Sequence, residues 1–181
     1  MVNDDRPMQE SLFDIGPDEE FGYRVPTTCQ VAGITYRQLD YWDRTNLVQP
    51  SIRGAHGSGS QRLYSFRDIL VLKIVKGLLD TGISLQNIRS AVEKLRDLGV
   101  NDLATITLVS DGKTVYECRS AGEVIDLLNG GQGVFGIAVP SIMKDLTGTI
   151  TQFPHERLDQ PAEAESTGVD ELAERRRRKL S

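Results

Sequence analysis

The stretch Ile34-Thr-Tyr-Arg-Gln-Leu-Asp-Tyr-Trp-Asp-Arg44 contains the signals that decide the fold. Thr35 and Gln38 have the spacing of a capping box, in which each side chain accepts a hydrogen bond from the other residue's backbone amide. Ile34 and Leu39 have the spacing of the hydrophobic staple that often accompanies a capping box. The sequence therefore predicts a helix that begins after Thr35 and runs to Arg44.

This helix is rich in aromatic and basic residues: Tyr36, Arg37, Tyr41, Trp42 and Arg44. Arginine and aromatic side chains on one short helix suit a surface that meets phosphates and base edges. An amphipathic helix with Leu39 and Trp42 in a core and its arginines in solvent would have the same composition. The helix alone does not separate these two interpretations.

The composition is that of a soluble globular protein, with 39% hydrophobic and 26% charged residues in a chain of 181. The first twenty residues lack the apolar centre of a secretory signal, and no apolar run approaches the roughly 20 residues of a membrane span. Two distant cysteines, Cys29 and Cys118, make neither a disulfide framework nor a metal motif. We expect a cytoplasmic protein without membrane association, metal or other cofactor.

The net charge of −5 is unevenly distributed along the chain. Residues 1–20 contain seven acidic residues and one arginine, a net charge of −6. Residues 21–98 contain eleven basic and six acidic residues (+5), whereas residues 99–181 contain nine and thirteen (−4). A basic block is the electrostatic footprint that a polyanion partner requires, although indifferent helical domains reach a similar surplus.

A second helix is predicted immediately before the Thr35 helix. Pro26 suits its first turn, and Val25, Cys29 and Ala32 have the spacing of one apolar face. Gly33 suits the left-handed position that ends a helix. Two helices joined by a glycine-centred turn indicate a helix-turn-helix.

A two-stranded wing and two further helices are predicted to follow. The segments 47–53 and 61–64 flank a Gly/Ser tip at 54–60, which indicates a hairpin. The tip lacks the Gly-Lys-Ser/Thr of a phosphate-binding P-loop, so nucleotide binding is not expected. Ser65 is the predicted N-cap of the third helix, which ends at Asp80-Thr-Gly82. Ser84 is the predicted N-cap of the fourth helix, which ends at Gly99.

The pattern changes after Gly99 to that of a small α+β unit, which we place at residues 102–150. Its predicted elements are strands at 105–109 and 114–118, a helix at 120–128, a strand at 134–139, and a short helix or turn at 140–146. A unit of about fifty residues is marginally stable alone, so we expect it to dock or to oligomerise.

Both ends of the chain are predicted to be disordered because polar residues, Pro and Gly dominate there. The N-terminal segment spans residues 1–20 and the C-terminal segment spans 154–181. The latter ends in the basic run Arg175–Lys179, which either contacts nucleic acid loosely or solubilises the tail.

The order of elements resembles the MerR-type winged helix-turn-helix DNA-binding domain. The matching stretches are Ala32–Arg44, Asn46-Leu-Val-Gln-Pro50, Arg62-Leu-Tyr-Ser-Phe-Arg-Asp-Ile69 and Thr81-Gly-Ile-Ser-Leu-Gln-Asn-Ile88. The resemblance covers Tyr23 to Leu98 and is nearest to actinobacterial MerR-like regulators with a small non-metal C-terminal domain. It predicts an α+β protein with a winged helix-turn-helix at 21–99, made of four helices and a two-stranded wing.

Two departures limit what the resemblance implies. The family's usual Arg before the aromatic pair is Asp40 here. The long dimerising helix and its effector cysteines are missing after Gly99, so metal sensing does not carry over.

The resemblance implies a homodimeric, sequence-specific transcription regulator that binds palindromic double-stranded promoter DNA and bends or untwists it. RNA polymerase would then be a further partner.

The resemblance places the Thr35 helix in the major groove, with Tyr36 and Arg37 nearest the base edges. The predicted phosphate contacts are Tyr41, Arg44, Arg53, Arg62 and Tyr64. The wing tip, with His56 and Ser58, would lie in or beside the minor groove. Loss of Arg37 should relax specificity, whereas loss of Arg62 should weaken binding to all sequences and flatten the salt dependence.

Two other classes of function are compatible with parts of the sequence. In a protein-interaction module, the unit at 102–150 would dock a partner and the DNA-binding half would only tether it. An enzyme is poorly motivated because His56 and His155 have no adjacent cluster of catalytic residue types. The unit at 102–150 either dimerises the chain, which we favour, or senses a small molecule.

Overall fold

The structure, a computed structural model, describes residues 21–54, 61–130 and 135–158. Within these ranges it contains seven helices and two three-stranded antiparallel sheets, so the predicted mixed α+β fold is confirmed. The predictions of disorder for 1–20 and for 159–181, and the wing tip with His56 and Ser58, fall outside the described residues.

The predicted helix-turn-helix is present as α1 (Val25–Ala32) and α2 (Tyr36–Arg44). Gly33 between them has a left-handed φ of 70°, and its N–H donates to the carbonyl of Cys29. The capping box of α2 forms as predicted: the Gln38 N–H donates to Thr35 Oγ1 (3.2 Å), and the Thr35 N–H donates to Gln38 Oε1 (2.9 Å). The short turn fixes α2 against α1.

Two longer helices, α3 (Phe66–Asp80) and α4 (Leu85–Leu95), follow with Ser65 and Ser84 as their N-caps. Helix α4 ends earlier than the predicted stop at Gly99. The guanidinium of Arg67 donates to the carbonyls of Leu95 and Leu98 (2.9 Å each). It thereby supplies hydrogen-bond donors to carbonyl groups at and just after the C-terminal end of α4. A short helix that the sequence pattern did not predict, α5 (Val100–Leu103), then begins after Gly99.

The first sheet consists of β1 (Phe21–Arg24), β2 (Leu63–Tyr64) and β6 (Glu156–Arg157) in the order β2-β1-β6. The prediction of a strand over 47–53 is wrong, since only Arg53 forms a bridge, to Leu63. Pro50 has no N–H, and the N–H of Ser51 donates to Asp68 Oδ2 (2.8 Å), so this segment cannot form a ladder. The main partner of β2 is β1 instead.

The prediction of disorder from Pro154 onward is wrong for the residues up to 157. Arg157 and Glu156 pair with Phe21 and Gly22 in antiparallel register. Glu156 also forms an ion pair with Arg24, and the ring of His155 meets that of Phe21 edge-on at 4.6 Å between centroids. The segment therefore forms the outer strand of the first sheet.

The second sheet contains β3 (Thr107–Ser110), β4 (Val115–Cys118) and β5 (Phe135–Ala138) in the order β4-β3-β5. Helix α6 (Ala121–Asn129) connects β4 to β5, and α7 (Val139–Ile150) follows β5 directly. The predicted hairpin turn is present, with Gly112 at a φ of 84°. Helix α7 is longer than the helix or turn predicted for 140–146.

One hydrophobic core joins the two halves of the chain. Helices α1 and α3 of the N-terminal half contact α7, and α3 also contacts β5. Among the core residues supplied by the second half, Val139, Leu146 and Ile150 are fully buried. The predicted boundary at 99–102 is therefore not a gap in the packing, and the division into two domains remains a proposal about function.

Candidate nucleic-acid interface

Helix α2 presents one face to the core and another to solvent. Leu39 and Trp42 are buried, as the amphipathic pattern predicted. Tyr36 and Tyr41 are 61% and 46% exposed, although large aromatic side chains are usually at least partly buried. Arg37 is exposed beside them. The buried side of α2 is thus that of an ordinary amphipathic helix. Its outer side is unusually rich in solvent-exposed aromatic and basic groups.

Arg44 extends this outer face by one further turn. Its side chain is 71% exposed, and Nη2 lies 2.8 Å from Asp40 Oδ2. An exposed pair of this kind contributes well under about 1 kcal/mol to stability, so a phosphate can compete for the arginine. Thr35 lies exposed at the start of the helix. Thr35, Tyr36, Arg37, Tyr41 and Arg44 therefore share one accessible surface.

Arg62 does not lie on that surface, contrary to the predicted phosphate contact. Its side chain is only 9% exposed, and Nη1 lies 2.8 Å from Asp43 Oδ2 and 3.5 Å from Asp40 Oδ1. Burial by itself lowers the pKa of this guanidinium, but the hydrogen bond to Asp43 and the nearby negative charge raise it above its ordinary value. Arg62 is therefore a permanently charged, internally paired group.

Tyr64 is also removed from the surface, so the predicted phosphate contact is corrected. Its side chain is fully buried in β2, next to the paired Tyr23 of β1. Its hydroxyl has no hydrogen-bond partner among the described residues. Burial raises the pKa of Tyr64 well above its ordinary value. The resemblance placed Tyr64 at the DNA, but its pairing with β1 puts the side chain in the core.

Arg53 is the remaining predicted contact that the structure describes. It is exposed at the base of the predicted wing, where its N–H and carbonyl exchange hydrogen bonds with Leu63 (3.2 and 3.0 Å). Arg53 therefore adds an exposed cation next to β2.

Three basic side chains that the sequence pattern did not single out hold the helix-turn-helix in place. Arg89 of α4 donates to the carbonyl and hydroxyl oxygens of Thr45 (2.8 and 2.7 Å). Arg96 donates to the Asn46 carbonyl, and Lys73 of α3 donates to the Val31 carbonyl at 3.1 Å. These cations lie at the C-terminal ends of α2 and α1, where the helix dipoles favour positive charge. Part of the basic surplus is thus structural.

Other kinds of site find little support in the part of the chain that the structure describes. It contains no group of three or more His, Cys, Asp or Glu side chains that could hold a metal ion. His155 immediately precedes β6, and its ring lies against those of Phe21 and Tyr23, at 4.6 and 6.2 Å between centroids. The helices in these ranges are all too short or too polar to cross a membrane.

The glycine-linked pair α1–α2, with the outer face of the second helix exposed, defines a helix-turn-helix DNA-binding protein. Residues 23–95 match the MerR HTH family regulatory proteins. An uncharacterized HTH-type transcriptional regulator of Mycobacterium tuberculosis is 68% identical over 173 residues, which are 94% of this chain and 76% of that protein. The chain belongs to the MerR family of DNA-binding transcriptional regulators, and its predicted family is confirmed.

More distant relatives match a shorter stretch of the chain. The HTH-type transcriptional regulator GlnR of Bacillus anthracis is 34% identical over 70 residues, 39% of this chain and 51% of that protein. Heavy metal-dependent transcription regulator 1 of Rhizobium meliloti is 30% identical over 71 residues, 39% of this chain and 46% of that protein.

Proposed function

We propose that the protein binds palindromic promoter DNA as a homodimer and regulates transcription by distorting that DNA. The observation that carries this proposal is the outer face of α2, where aromatic and basic side chains stand uncovered on a rigidly capped helix. Such a helix fits the major groove, whose base edges offer acceptors to arginine.

In this proposal Thr35, Tyr36 and Arg37, at the N-terminal end of α2, lie nearest the bases. Tyr41, Arg44 and Arg53 contact the phosphates on either side. His56 and Ser58, in the segment between Arg53 and Arg62, approach the minor groove. Arg62 and Tyr64 are no longer proposed as DNA contacts.

The experiment is a selection of duplexes from a random pool with the full-length protein, followed by fluorescence anisotropy on the selected duplex and on a scrambled duplex. Arg37→Gln should lose the preference for the selected duplex, because a bidentate arginine contact discriminates a base by about 1–3 kcal/mol. Arg119→Gln, which removes an exposed arginine immediately after β4, is the matched control. Equal enrichment of all sequences by the wild-type protein would contradict the proposal.

The homodimer is proposed to form through the exposed apolar side chains of α6 and β5, which we together call the α6 patch: Ile125, Leu128 and Phe135. These side chains are 54%, 44% and 36% exposed, and α6 has no buried residue at all. Helix α7, the other amphipathic helix of this half, already buries its apolar face within the same chain. A second copy is the occupant that a palindromic DNA site requires, because each half-site takes one α2.

Sedimentation equilibrium of the full chain tests the patch. Leu128→Glu should convert a dimer into a monomer, since a carboxylate on each copy would be buried in the interface. Leu158→Glu changes a side chain of similar exposure (40%) on another surface and should leave the dimer intact.

The same patch favours a second function, in which the C-terminal half docks a different protein, such as RNA polymerase, and DNA binding serves as a tether. A monomeric wild-type chain that binds purified RNA polymerase, with Leu128→Glu abolishing that binding, would favour this alternative.

A further inference from the structure

Arg62 ties the base of the predicted wing to α2. It immediately precedes β2, whose Leu63 exchanges two hydrogen bonds with Arg53. Its guanidinium turns toward α2, where it meets Asp43 at 2.8 Å and Asp40 at 3.5 Å. We call these three side chains the Arg62 brace.

The brace follows one stripe of α2. The guanidinium carbon of Arg62 lies 5.6 Å from the ring centroid of Tyr36, so the arginine contacts positions 36, 40 and 43. These positions repeat at helical spacing and form the side of α2 that faces the wing. A movement of the wing base relative to α2 would therefore break contacts with more than one turn of the helix.

The same geometry disfavours a role for Arg62 as a phosphate contact. The cation is largely excluded from water and is already neutralised by a carboxylate at 2.8 Å. Asp40 shares its other oxygen with the exposed Arg44. A phosphate that approached Arg62 would meet the negative charges of Asp40 and Asp43, whereas Arg44 is open to solvent.

We infer that Asp43 is a positioning residue for DNA reading: through Arg62 it fixes the angle between α2 and the wing base, so that both engage one half-site together. The inference rests on the proposed DNA binding. It also gives Asp40, which occupies the position of the family's usual arginine, the role of linking the brace to the exposed Arg44.

Asp43→Asn in the full chain tests this inference on the selected and scrambled duplexes, at salt concentrations between about 50 and 200 mM. The variant should bind the selected duplex about tenfold more weakly, since helix and wing no longer hold their mutual angle. Its affinity for the scrambled duplex should not fall and its salt slope should stay the same, because no phosphate contact is lost. Arg62→Gln should show the same pattern.

The opposite result would identify Arg62 as a phosphate contact that Asp43 occupies in the absence of DNA. In that case Asp43→Asn would bind both duplexes more tightly, and Arg62→Gln would reduce the salt slope by about one. Unchanged binding by Asp43→Asn would equally overturn the inference. A wild-type protein that selects no duplex would instead overturn the proposed function.

Two further variants separate positioning from simple loss of folding. Asp80→Asn changes an exposed aspartate paired with Lys76 on α3 and should behave as wild type. Asp40→Asn removes the longer contact to Arg62, and it should give a smaller loss of selectivity with an unchanged thermal midpoint. If Asp43→Asn is unfolded by circular dichroism, Asp40→Asn decides: full selectivity in a folded Asp40→Asn chain refutes the inference.

Discussion

The hydroxyl of Tyr64 is a buried polar group without a hydrogen-bond partner in the described part of the chain. Such a group loses its hydration on folding and gains nothing in return. Tyr64→Phe should therefore keep or raise the free energy of unfolding, by up to about 1 kcal/mol, as measured by urea denaturation. DNA affinity should not change. Weaker DNA binding by Tyr64→Phe would instead show that Tyr64 contacts the DNA.

Tyr23 predicts a loss of stability at alkaline pH. Burial raises its pKa from 10.0 to about 12. Well below pH 10 the phenol is neutral in both states and stability is unaffected. As the pH rises through 10 toward 12, the unfolded chain ionises first and is favoured by up to about 3 kcal/mol. Urea denaturation at several pH values should show this decline, with a shallower decline in Tyr23→Phe. Identical slopes would contradict burial as its cause.

Among the secondary-structure elements, β6 depends on contacts far along the chain. Its two residues pair with β1, and Glu156 forms an ion pair with the half-exposed Arg24. Glu156→Gln should cost less than about 1 kcal/mol of global stability, as exposed pairs do. Hydrogen exchange should nevertheless quicken in residues 21–24, with α3 unchanged as the internal reference. Equal exchange in both proteins would show that the strand pairing alone holds β6.

The helices and the strands differ in how far the sequence specified them. Thr35, Ser65 and Ser84 begin their helices where predicted, because a cap is a local interaction within four residues. The end of α4, the partner of β2 and the strand at Glu156 all depend on residues distant in sequence, such as Arg67 and Tyr23. Local patterns carry no information about those partners.

The same distinction applies to the candidate site. The outward positions of Tyr36, Arg37, Tyr41 and Arg44 follow from helical periodicity once Leu39 and Trp42 are placed in the core. The inward turn of Arg62 does not, because it depends on where the wing base crosses α2. Asp43 was not singled out at all, since a lone carboxylate on a helix is usually solvated.

At the scale of the whole molecule, α3 serves both halves of the chain. It packs against α1, and near its N-terminal end Asp68 accepts the N–H of Ser51 in the segment between α2 and β2, while Gly77 lies against Ile137 of β5. A Cβ at position 77 would stand 3.0 Å from Ile137 Cδ1. A small residue here therefore lets the second sheet approach α3 closely, and the DNA-binding half and the α6 patch share one rigid support.

This shared support predicts that the described fold unfolds as one unit. Leu146 is fully buried in α7, which packs on α1 and α3. Leu146→Ala should lower the free energy of unfolding by about 2–5 kcal/mol through the cavity it leaves. Hydrogen exchange should then quicken in α1 and α3 as much as in α7, with a single thermal transition. Leu128→Ala, at an exposed position, is the control and should change stability little. Two transitions, with α3 still protected after α7 has opened, would show that the two halves unfold independently. Binding at the α6 patch could then not affect α2 through the shared core.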